Sequence, residues 1–453
     1  MRQLVDWASD MDGFLARVRA GDAGAYTLDL WGHGLVAVFT SEEARRTVIQ
    51  GSAEDFGHAN DLAALFVGPS SLLLLDGDTH AAARRRTMAV IAGDGVAAYG
   101  STMAAIADEW IDGLSVGGTT PVLDGAQTMT LDVILQTVFG MQRGVEYDAL
   151  HRLAREFMEG GRSTGGNLAS MLLPAPMVRR LMLGRRGPDM QALPEPLPLR
   201  FLGRTRGVRE ARELVERLME QIRVRRAHLD DGGTDTLAKI LRHADESGAP
   251  LSDAGLVDEL LTLLLGGHET TAVVLGWLLF RLAGNLDAWA RARAELDEAF
   301  GTGPLDARRA SRLPYLGAVV QESLRLDGLT LGVMRRTRRE VVIDGYTIPA
   351  GTLVNAQVRH VHLDEARFDD PLVFRPERLL GERLSPIDFA PFGGGYRRCV
   401  GAAFATFELS TLTAAIVRRV ELHAPPDLRV ERVQYGPFPG PSNAIPLEVV
   451  SRR

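Results

Sequence analysis

The sequence predicts a mainly α-helical protein with a minor share of β-strand. Apolar residues recur at helical spacing along most of the 453 residues, and one apolar run near residue 270 is long enough for a helix that crosses a whole domain. Only two short segments show the apolar alternation and glycine turns of β-hairpins. These observations favour one large helical unit, and we expect residues 1–453 to form a single domain.

Helical patterns occur in eight further segments: 41–50, 79–92, 101–113, 129–139, 207–228, 287–300, 314–326 and 403–419. Residues 25–39 are interpreted as two strands around a Gly-His-Gly turn, and residues 341–354 as a hairpin with Asp344-Gly345 at its turn. Six prolines between residues 173 and 198 forbid a continuous helix there. We expect this stretch to be a mobile surface excursion between two helices.

The apolar run from Leu260 to Phe280 has about the length that crosses a lipid bilayer. Its centre carries His268 and Glu269, and a charged group in lipid is costly. We therefore interpret it as a buried central helix that begins at the N-cap candidate Ser252 and ends near Gly284. Such a helix is on the order of 45–50 Å long at 1.5 Å per residue.

Composition excludes several classes of protein. Hydrophobic residues make up 45% of the chain, enough for a large core, and the formal net charge of -7 gives no broadly basic surface for nucleic acid. Cys399 is the only cysteine, which excludes an intramolecular disulfide and a paired-cysteine zinc site. The N-terminal segment has charges throughout and no apolar core, so we expect a cytoplasmic protein without a membrane anchor.

Cys399 lies in the segment Phe-Gly-Gly-Gly-Tyr-Arg-Arg-Cys-Val-Gly, directly before a helical pattern. Free backbone N–H groups in such a loop can stabilise a thiolate, the form of cysteine that binds metals. A lone cysteine beside a glycine turn is, by itself, more often an ordinary buried side chain. The segment resembles the haem-binding loop of the cytochrome P450 family, F-x-x-G-x-R-x-C-x-G, at every fixed position: Phe392, Gly395, Arg397, Cys399 and Gly401. The resemblance implies haem b with Cys399 as the axial ligand of its iron.

A second match is Gly-Gly-His-Glu-Thr-Thr at residues 266–271 of the central helix. Glycine leaves room beside a helix, and a helical threonine can bond the carbonyl one turn back. The stretch resembles the family pattern [AG]-G-x-[DE]-T-[ST], which implies that Glu269 and Thr270 deliver protons to dioxygen. Alone, it would fit equally a helix-bending Thr270 beside a buried, paired Glu269.

Glu322 and Arg325 share one helical face at a spacing of three residues and can form a charge-assisted pair. They resemble the buried E-x-x-R pair of the family, which is joined by an arginine from a segment similar to Phe374–Leu379. The resemblance implies that Arg378 is the third member of a structural triad. Leu379 departs from the usual phenylalanine.

The haem propionates are anions and need cationic or hydrogen-bonding partners. His80 and Arg84 resemble the family's H-x-x-x-R stretch, and Arg397 precedes the cysteine by two residues. Arg335 is a fourth candidate partner, with neighbouring Arg336 as the alternative. The remaining arginines of these runs would lie on a solvated face or form a local basic patch for an acidic redox partner: Arg85, Arg86 and Arg398.

Two other motifs are excluded by context. His268-Glu269 begins like the zinc motif H-E-x-x-H, but Ala272 occupies the place of the second histidine. Residues 113–117, Gly-Leu-Ser-Val-Gly, match G-x-S-x-G but follow a helical pattern, whereas a nucleophile elbow follows a strand.

The resemblance spans roughly residues 25–440 and implies the triangular, mostly helical cytochrome P450 fold, with its long central helix over the haem. It implies a monooxygenase that uses O2, with a ferredoxin and a ferredoxin reductase as separate electron donors. A peroxide-using peroxygenase and a non-catalytic haem sensor are the alternatives. The segments that would line the substrate cavity are nearly all apolar and favour a hydrophobic ligand such as a terpenoid, fatty acyl chain or polyketide: residues 62–75, 263–264, 329–334 and 437–439.

Overall fold

The computed structural model describes residues 24–30, 34–61, 66–91, 94–162, 206–228, 236–246, 251–435 and 438–453, together with the single positions 13, 17 and 63. The proline-rich segment 173–198 lies outside these residues, so its expected mobility stays a prediction.

The described α-helices, in chain order, are α1 (Glu42–Gln50), α2 (Gly77–Ile91), α3 (Asp94–Ala97), α4 (Gly100–Asp112), α5 (Val122–Val133), α6 (Val145–Arg162), α7 (Arg206–Ala227), α8 (Thr236–Glu246), α9 (Asp253–Leu264), α10 (Thr270–Ala283), α11 (Leu286–Phe300), α12 (Ala307–Ala310), α13 (Pro314–Asp327), α14 (Arg359–His362) and α15 (Ala402–Arg419). Two π-helical turns, Ile134–Val138 and Leu265–Glu269, continue α5 and join α9 to α10. The described residues of all eight predicted helical segments are mostly helical, whereas the longer helices α6 and α8 and the short helices α3, α12 and α14 were not predicted.

Strands β1 (Ala25–Leu30) and β2 (Gly34–Phe39) form the first predicted hairpin. They belong to a five-stranded sheet in the order β1-β2-β8-β5-β3, in which only the β2–β8 pairing is parallel. The remaining strands of this sheet are β3 (Phe56–Gly57), β5 (Gly332–Thr337) and β8 (Leu353–Gln357). Because successive side chains of a strand point to opposite faces, Arg335 and Arg336 lie on opposite faces of β5, and Arg335 is on the buried face.

Three smaller sheets complete the β component. The second predicted hairpin, residues 341–354, is shorter than expected: β6 (Val341–Ile343) pairs with β7 (Tyr346–Ile348) around Asp344, which has a φ of 50°, whereas Leu353 and Val354 belong to β8 of the five-stranded sheet. The others contain β4 (Thr119–Pro121), β9 (Val420–His423), β10 (Arg432–Tyr435), β11 (Phe438–Pro441) and β12 (Pro446–Arg452). Helix α4 precedes Gly113–Gly117, so the described chain has no nucleophile elbow there.

The central helix runs from Asp253 to Ala283 through the π-turn. Ser252 caps it, because its Oγ accepts the N–H of Gly255 at 3.1 Å, as the sequence predicts. Among the described helices this one is long and apolar enough to cross a membrane, and 78% of its most apolar stretch is buried. That degree of burial is typical of the core helix of a folded domain.

The chain divides into two compact units. The larger unit contains residues 1–59, 91–130 and 270–453, and the smaller unit contains residues 60–90 and 131–269. In the larger unit, α1 packs on the five-stranded sheet through Ala44, Val48 and Ile49. The expectation of a single domain stays a prediction.

Candidate functional site

The cysteine loop, residues 392–401, belongs to the larger unit and ends at the first turn of α15. The N–H of Cys399 donates to the carbonyl of Phe392 at 2.9 Å, which closes the loop. The side chain of Cys399 is exposed. A thiol at the tip of a closed loop is accessible to a metal without any rearrangement of the backbone.

Glycine is required at position 395 for two reasons. Its φ of 63° lies in the left-handed region, and an added Cβ would come within 2.1 Å of the carbonyl oxygen of Ile49. Gly394 is equally close to α1, since its Cβ would lie 2.2 Å from Cγ2 of Ile49. The backbone of the loop therefore packs directly against α1, a long-range contact that no local sequence pattern indicates.

Three further contacts hold the loop in place. Tyr396 donates its hydroxyl to the carbonyl of Phe56 at 2.6 Å, and Thr330 donates to the carbonyl of Pro391 at 2.6 Å. Arg335 donates from its guanidinium to the carbonyl of Gly394 at 3.1 Å. Strand β5 and the segment before it thus support the loop from a distant part of the sequence.

Arg335 is a buried cation, with 6% of its surface exposed. Burial lowers its pKa to about 10. Among the described residues no carboxylate lies within ion-pair distance of it, and its Nε makes no hydrogen bond. Arg336 lies on the other face of β5 and donates to the carbonyl of Gly351 at 3.2 Å. Of the two candidates, Arg335 is the one that contacts the cysteine loop.

The π-turn of the central helix, Leu265–Glu269, belongs to the smaller unit. Gly266 is exposed in the middle of a mostly buried helix, and nothing lies within 4 Å of an added Cβ there. Gly267 has no such room, because its Cβ would come within 2.6 Å of Cδ1 of Ile134. The turn therefore packs closely on one side and is open on the other, as the entrance of a ligand beside a helix requires.

The two predicted catalytic residues, Glu269 and Thr270, lie at the end of the π-turn and the start of α10. Glu269 is fully buried, and its Oε2 lies 3.8 Å from Nε2 of His268. Thr270 is partly exposed and begins α10. No group of three potential metal-ligating His, Cys, Asp or Glu side chains occurs among the described residues.

The Glu322–Arg325–Arg378 triad is present as predicted. Arg325 donates from Nε and from a terminal nitrogen to the two carboxylate oxygens of Glu322, both at 2.8 Å, and both side chains are fully buried. Arg378 donates from Nε to the same carboxylate at 3.1 Å. Arg325 also donates to the carbonyl of His362 at 2.6 Å, so the triad joins α13 to the segment that leads toward the cysteine loop.

Helix α2 of the smaller unit carries the remaining predicted cofactor-binding residues. His80 is buried and Arg84 is partly exposed. Arg85 is exposed, as expected. The expectation of a solvated face or basic patch was wrong for Arg86, which is 8% exposed and lies near the buried carboxylate of Glu259. A helix has an inward face, and the third arginine of the run falls on it.

The larger unit thus brings Cys399, Phe392, Arg397 and Gly401 together on one loop with Arg335 beside it. His80, Arg84 and Glu269 belong to the smaller unit. An exposed thiol on a hydrogen-bonded loop, next to a buried cation with no carboxylate partner among the described residues, is suited to bind a metal held in an anionic cofactor.

Comparisons with known proteins agree with this class. The family model for cytochrome P450 matches residues 23–443. Cytochrome P450 135B1 of Mycobacterium tuberculosis is 34% identical over 412 residues, which are 90% of this chain and 81% of that protein. Cytochrome P450 138 of the same organism is 30% identical over 399 residues, with 88% and 82% covered. The chain belongs to the cytochrome P450 family.

Two solved structures have the same fold. A cyanobacterial CYP120A1 with bound retinoic acid has a TM-score of 0.79 at 23% identity, covering 99% of this chain and 96% of that one. A cytochrome P450DA heme domain has a TM-score of 0.81 at 22% identity, covering 100% and 95%. Membership of the cytochrome P450 family, shown by the family model and the relatives, makes this protein a cytochrome P450 monooxygenase, an oxidoreductase that uses haem iron, O2, redox partners and a small-molecule substrate.

Proposed function

We propose that this chain binds haem b through Cys399 and hydroxylates a largely hydrophobic small molecule. Bound haem would supply the iron at which dioxygen is activated for insertion of one oxygen atom. The observation that carries the proposal is the exposed thiol of Cys399 on a loop held by Arg335, a buried cation with no carboxylate partner among the described residues. A haem propionate is the anion that such a cation would take.

Four side chains would hold the propionates: Arg335, Arg397, His80 and Arg84. Phe392 and Gly401 would position the cysteine from either side. The carbonyl of Phe392 accepts the N–H of Cys399 and closes the loop, and Gly401 is the N-cap residue of α15. These roles rest on the family motif and on the contacts of the cysteine loop. The open side of the π-turn at Gly266 supports the assignment of the distal face to the central helix.

Glu269 and Thr270 are proposed to deliver protons during the reaction. A buried carboxylate next to a partly exposed hydroxyl can pass a proton from the interior to a ligand beside the helix. This pair favours a monooxygenase that uses O2 over a peroxygenase, since peroxide already carries the protons and electrons that O2 needs.

The ligation test compares carbon monoxide spectra of the dithionite-reduced wild type and Cys399→Ser. We expect a strongly red-shifted Soret band in the wild type and its loss in the variant, with haem still bound. Arg398→Ala is the matched control, because Arg398 is the exposed neighbour of the cysteine, and its spectrum should equal that of the wild type. An unshifted band in the wild type would refute thiolate ligation.

The substrate is proposed to be a terpenoid, fatty acyl chain or polyketide. Of the residues proposed to line the cavity, the structure describes Leu72, Leu263 and Leu331, and all three are apolar. Burial of apolar ligand surface against such residues contributes about 25 cal/mol per Å² to binding. Titration of the ferric protein with one member of each class, followed by the substrate-induced Soret shift, tests this. Equal or stronger shifts with charged, polar ligands would contradict it.

Electrons are proposed to come from a ferredoxin and its reductase in the cytoplasm. Arg85 and Arg398 are exposed cations near the proposed haem-binding segments and would attract an acidic donor. The reduction rate by a plant-type ferredoxin should fall with salt, and Arg398→Glu should lower it further. A salt-independent rate would argue against an acidic donor.

A further inference from the structure

The proposed mechanism leaves the buried polar side chain of His268, in the π-turn, without a role. Adjacent residues of a helix point in different directions and do not normally face each other. Here Nε2 of His268 nevertheless lies 3.8 Å from Oε2 of Glu269, and the two side chains are only 2% and 1% exposed. The two buried side chains therefore lie close to each other on the π-turn, within about 1 Å of hydrogen-bond distance.

We propose that His268 is a positioning residue that donates its Nε2–H to the carboxylate of Glu269 and holds it in one orientation. This inference rests on the proposed proton-delivery role of Glu269. A carboxylate removed from water is costly unless it is hydrogen-bonded, and an imidazole N–H is a suitable donor. A small rotation of either side chain would shorten the separation to hydrogen-bond length, and such contacts commonly tighten when a ligand binds.

The backbone around His268 has little freedom to open the contact in another way. Gly267 packs so closely on Ile134 that an added Cβ would come within 2.6 Å of it. The backbone of the turn cannot move toward Ile134 without a clash. The separation of Nε2 of His268 from Oε2 of Glu269 is therefore changed more easily by rotation of these two side chains than by a backbone shift in that direction. A glutamine at position 268 would place an amide N–H near the position of Nε2, whereas an asparagine would reach only the position of Nδ1.

The first readout is the infrared spectrum of the ferric holoprotein. The carboxyl band of Glu269 is identified as the band that Glu269→Gln removes. We expect His268→Asn to shift this band and His268→Gln to keep it near the wild-type position. A band that stays the same in His268→Asn would overturn the proposal, and so would an equal shift in both variants. If His268→Asn does not fold, His268→Met replaces it as the variant without a donor.

The second readout is the peroxide released per electron pair supplied by a plant-type ferredoxin and its reductase. His268→Asn should raise this yield about fivefold, a factor typical of one lost hydrogen bond, and His268→Gln should restore it. In the Glu269→Gln background, His268→Asn should add nothing further. Additive effects of the two substitutions would show that His268 acts independently of Glu269 and would overturn the proposal.

A matched control exists elsewhere in the chain. His423 and Glu421 form a second His–Glu contact, with Nε2 3.0 Å from Oε1, on β9. His423→Asn breaks this pair and should change neither readout.

The proposed role of Glu269 in proton delivery and the proposed positioning role of His268 would fail in different ways. If Glu269→Gln leaves the peroxide yield unchanged, the proton-delivery role of Glu269 fails; if it raises the yield while His268→Asn does nothing, only the positioning role of His268 fails.

Discussion

Two buried arginines of the larger unit, Arg325 and Arg335, have opposite electrostatic surroundings. Arg325 on α13 is fully buried and makes a bidentate contact with Glu322, which also accepts from Arg378. Arg335 on β5 donates to the carbonyls of Met334 and Gly394 and has no carboxylate partner among the described residues. The charge of the first arginine is compensated by a carboxylate of the chain, whereas the charge of the second has no such compensation among the described residues, which agrees with its proposed role as a propionate partner. The two arginines therefore contrast a structural cation with one that is proposed to bind a cofactor.

The largest effect is expected where the complete site is broken. Glu322→Ala leaves Arg325 buried without its carboxylate, and the free energy of unfolding should fall by about 3–5 kcal/mol. Urea unfolding at equal haem saturation measures this. Arg378→Lys, which keeps a positive charge at the less buried partner, should cost much less. If both variants lose the same free energy of unfolding, the negative charge of Glu322 is not what makes the triad stabilising.

A smaller and different effect is expected at Arg335. Arg335→Leu should accelerate haem loss about 30-fold, which corresponds to one charge-assisted hydrogen bond of roughly 2 kcal/mol. Transfer of haem to excess apomyoglobin measures the rate. Arg336→Leu changes the neighbouring residue on the opposite face of β5 and should leave the rate unchanged. Similar rates in both variants would remove Arg335 from the set of propionate partners.

A third buried ionisable group sharpens the comparison. Glu408 on α15 is fully buried, and neither carboxylate oxygen has a hydrogen-bond donor among the described residues. Burial raises its pKa well above the ordinary value of 4.5. The folded protein therefore keeps this proton after the unfolded chain has lost it, so the contribution of Glu408 to stability is full below pH 4.5 and declines as the pH rises.

The corresponding variant is Glu408→Gln, which cannot ionise. Its stability relative to the wild type should increase between about pH 5 and pH 8, and urea midpoints at the two pH values measure the difference. This is expected to be the smallest of the three effects, since it depends on one proton. Glu382→Gln, at an exposed position, should show no such trend. A flat difference for Glu408→Gln would indicate that a donor satisfies the carboxylate.

Helix positions were largely predictable because apolar spacing within one helix is a local property. Segment 129–139 shows the limit of this, since its helix begins earlier, at Val122, and ends in a π-turn. Helices α6 and α8 were missed although their apolar residues follow helical spacing. The Glu322–Arg325 pair was predictable from its spacing, whereas Arg378 required the family resemblance, because it contacts Glu322 across 56 residues of chain.

The sequence by itself determined the central helix with its Ser252 cap, the hairpins and the glycine pattern before Cys399, because these depend on residues close together in the chain. Only the tertiary structure decided that Arg335 rather than Arg336 contacts the cysteine loop, and that Arg86 is buried near Glu259. Which face of a strand or helix points inward depends on partners far away in sequence, such as Ile49 beneath Gly395. Local spacing shows that two faces differ, and packing selects between them.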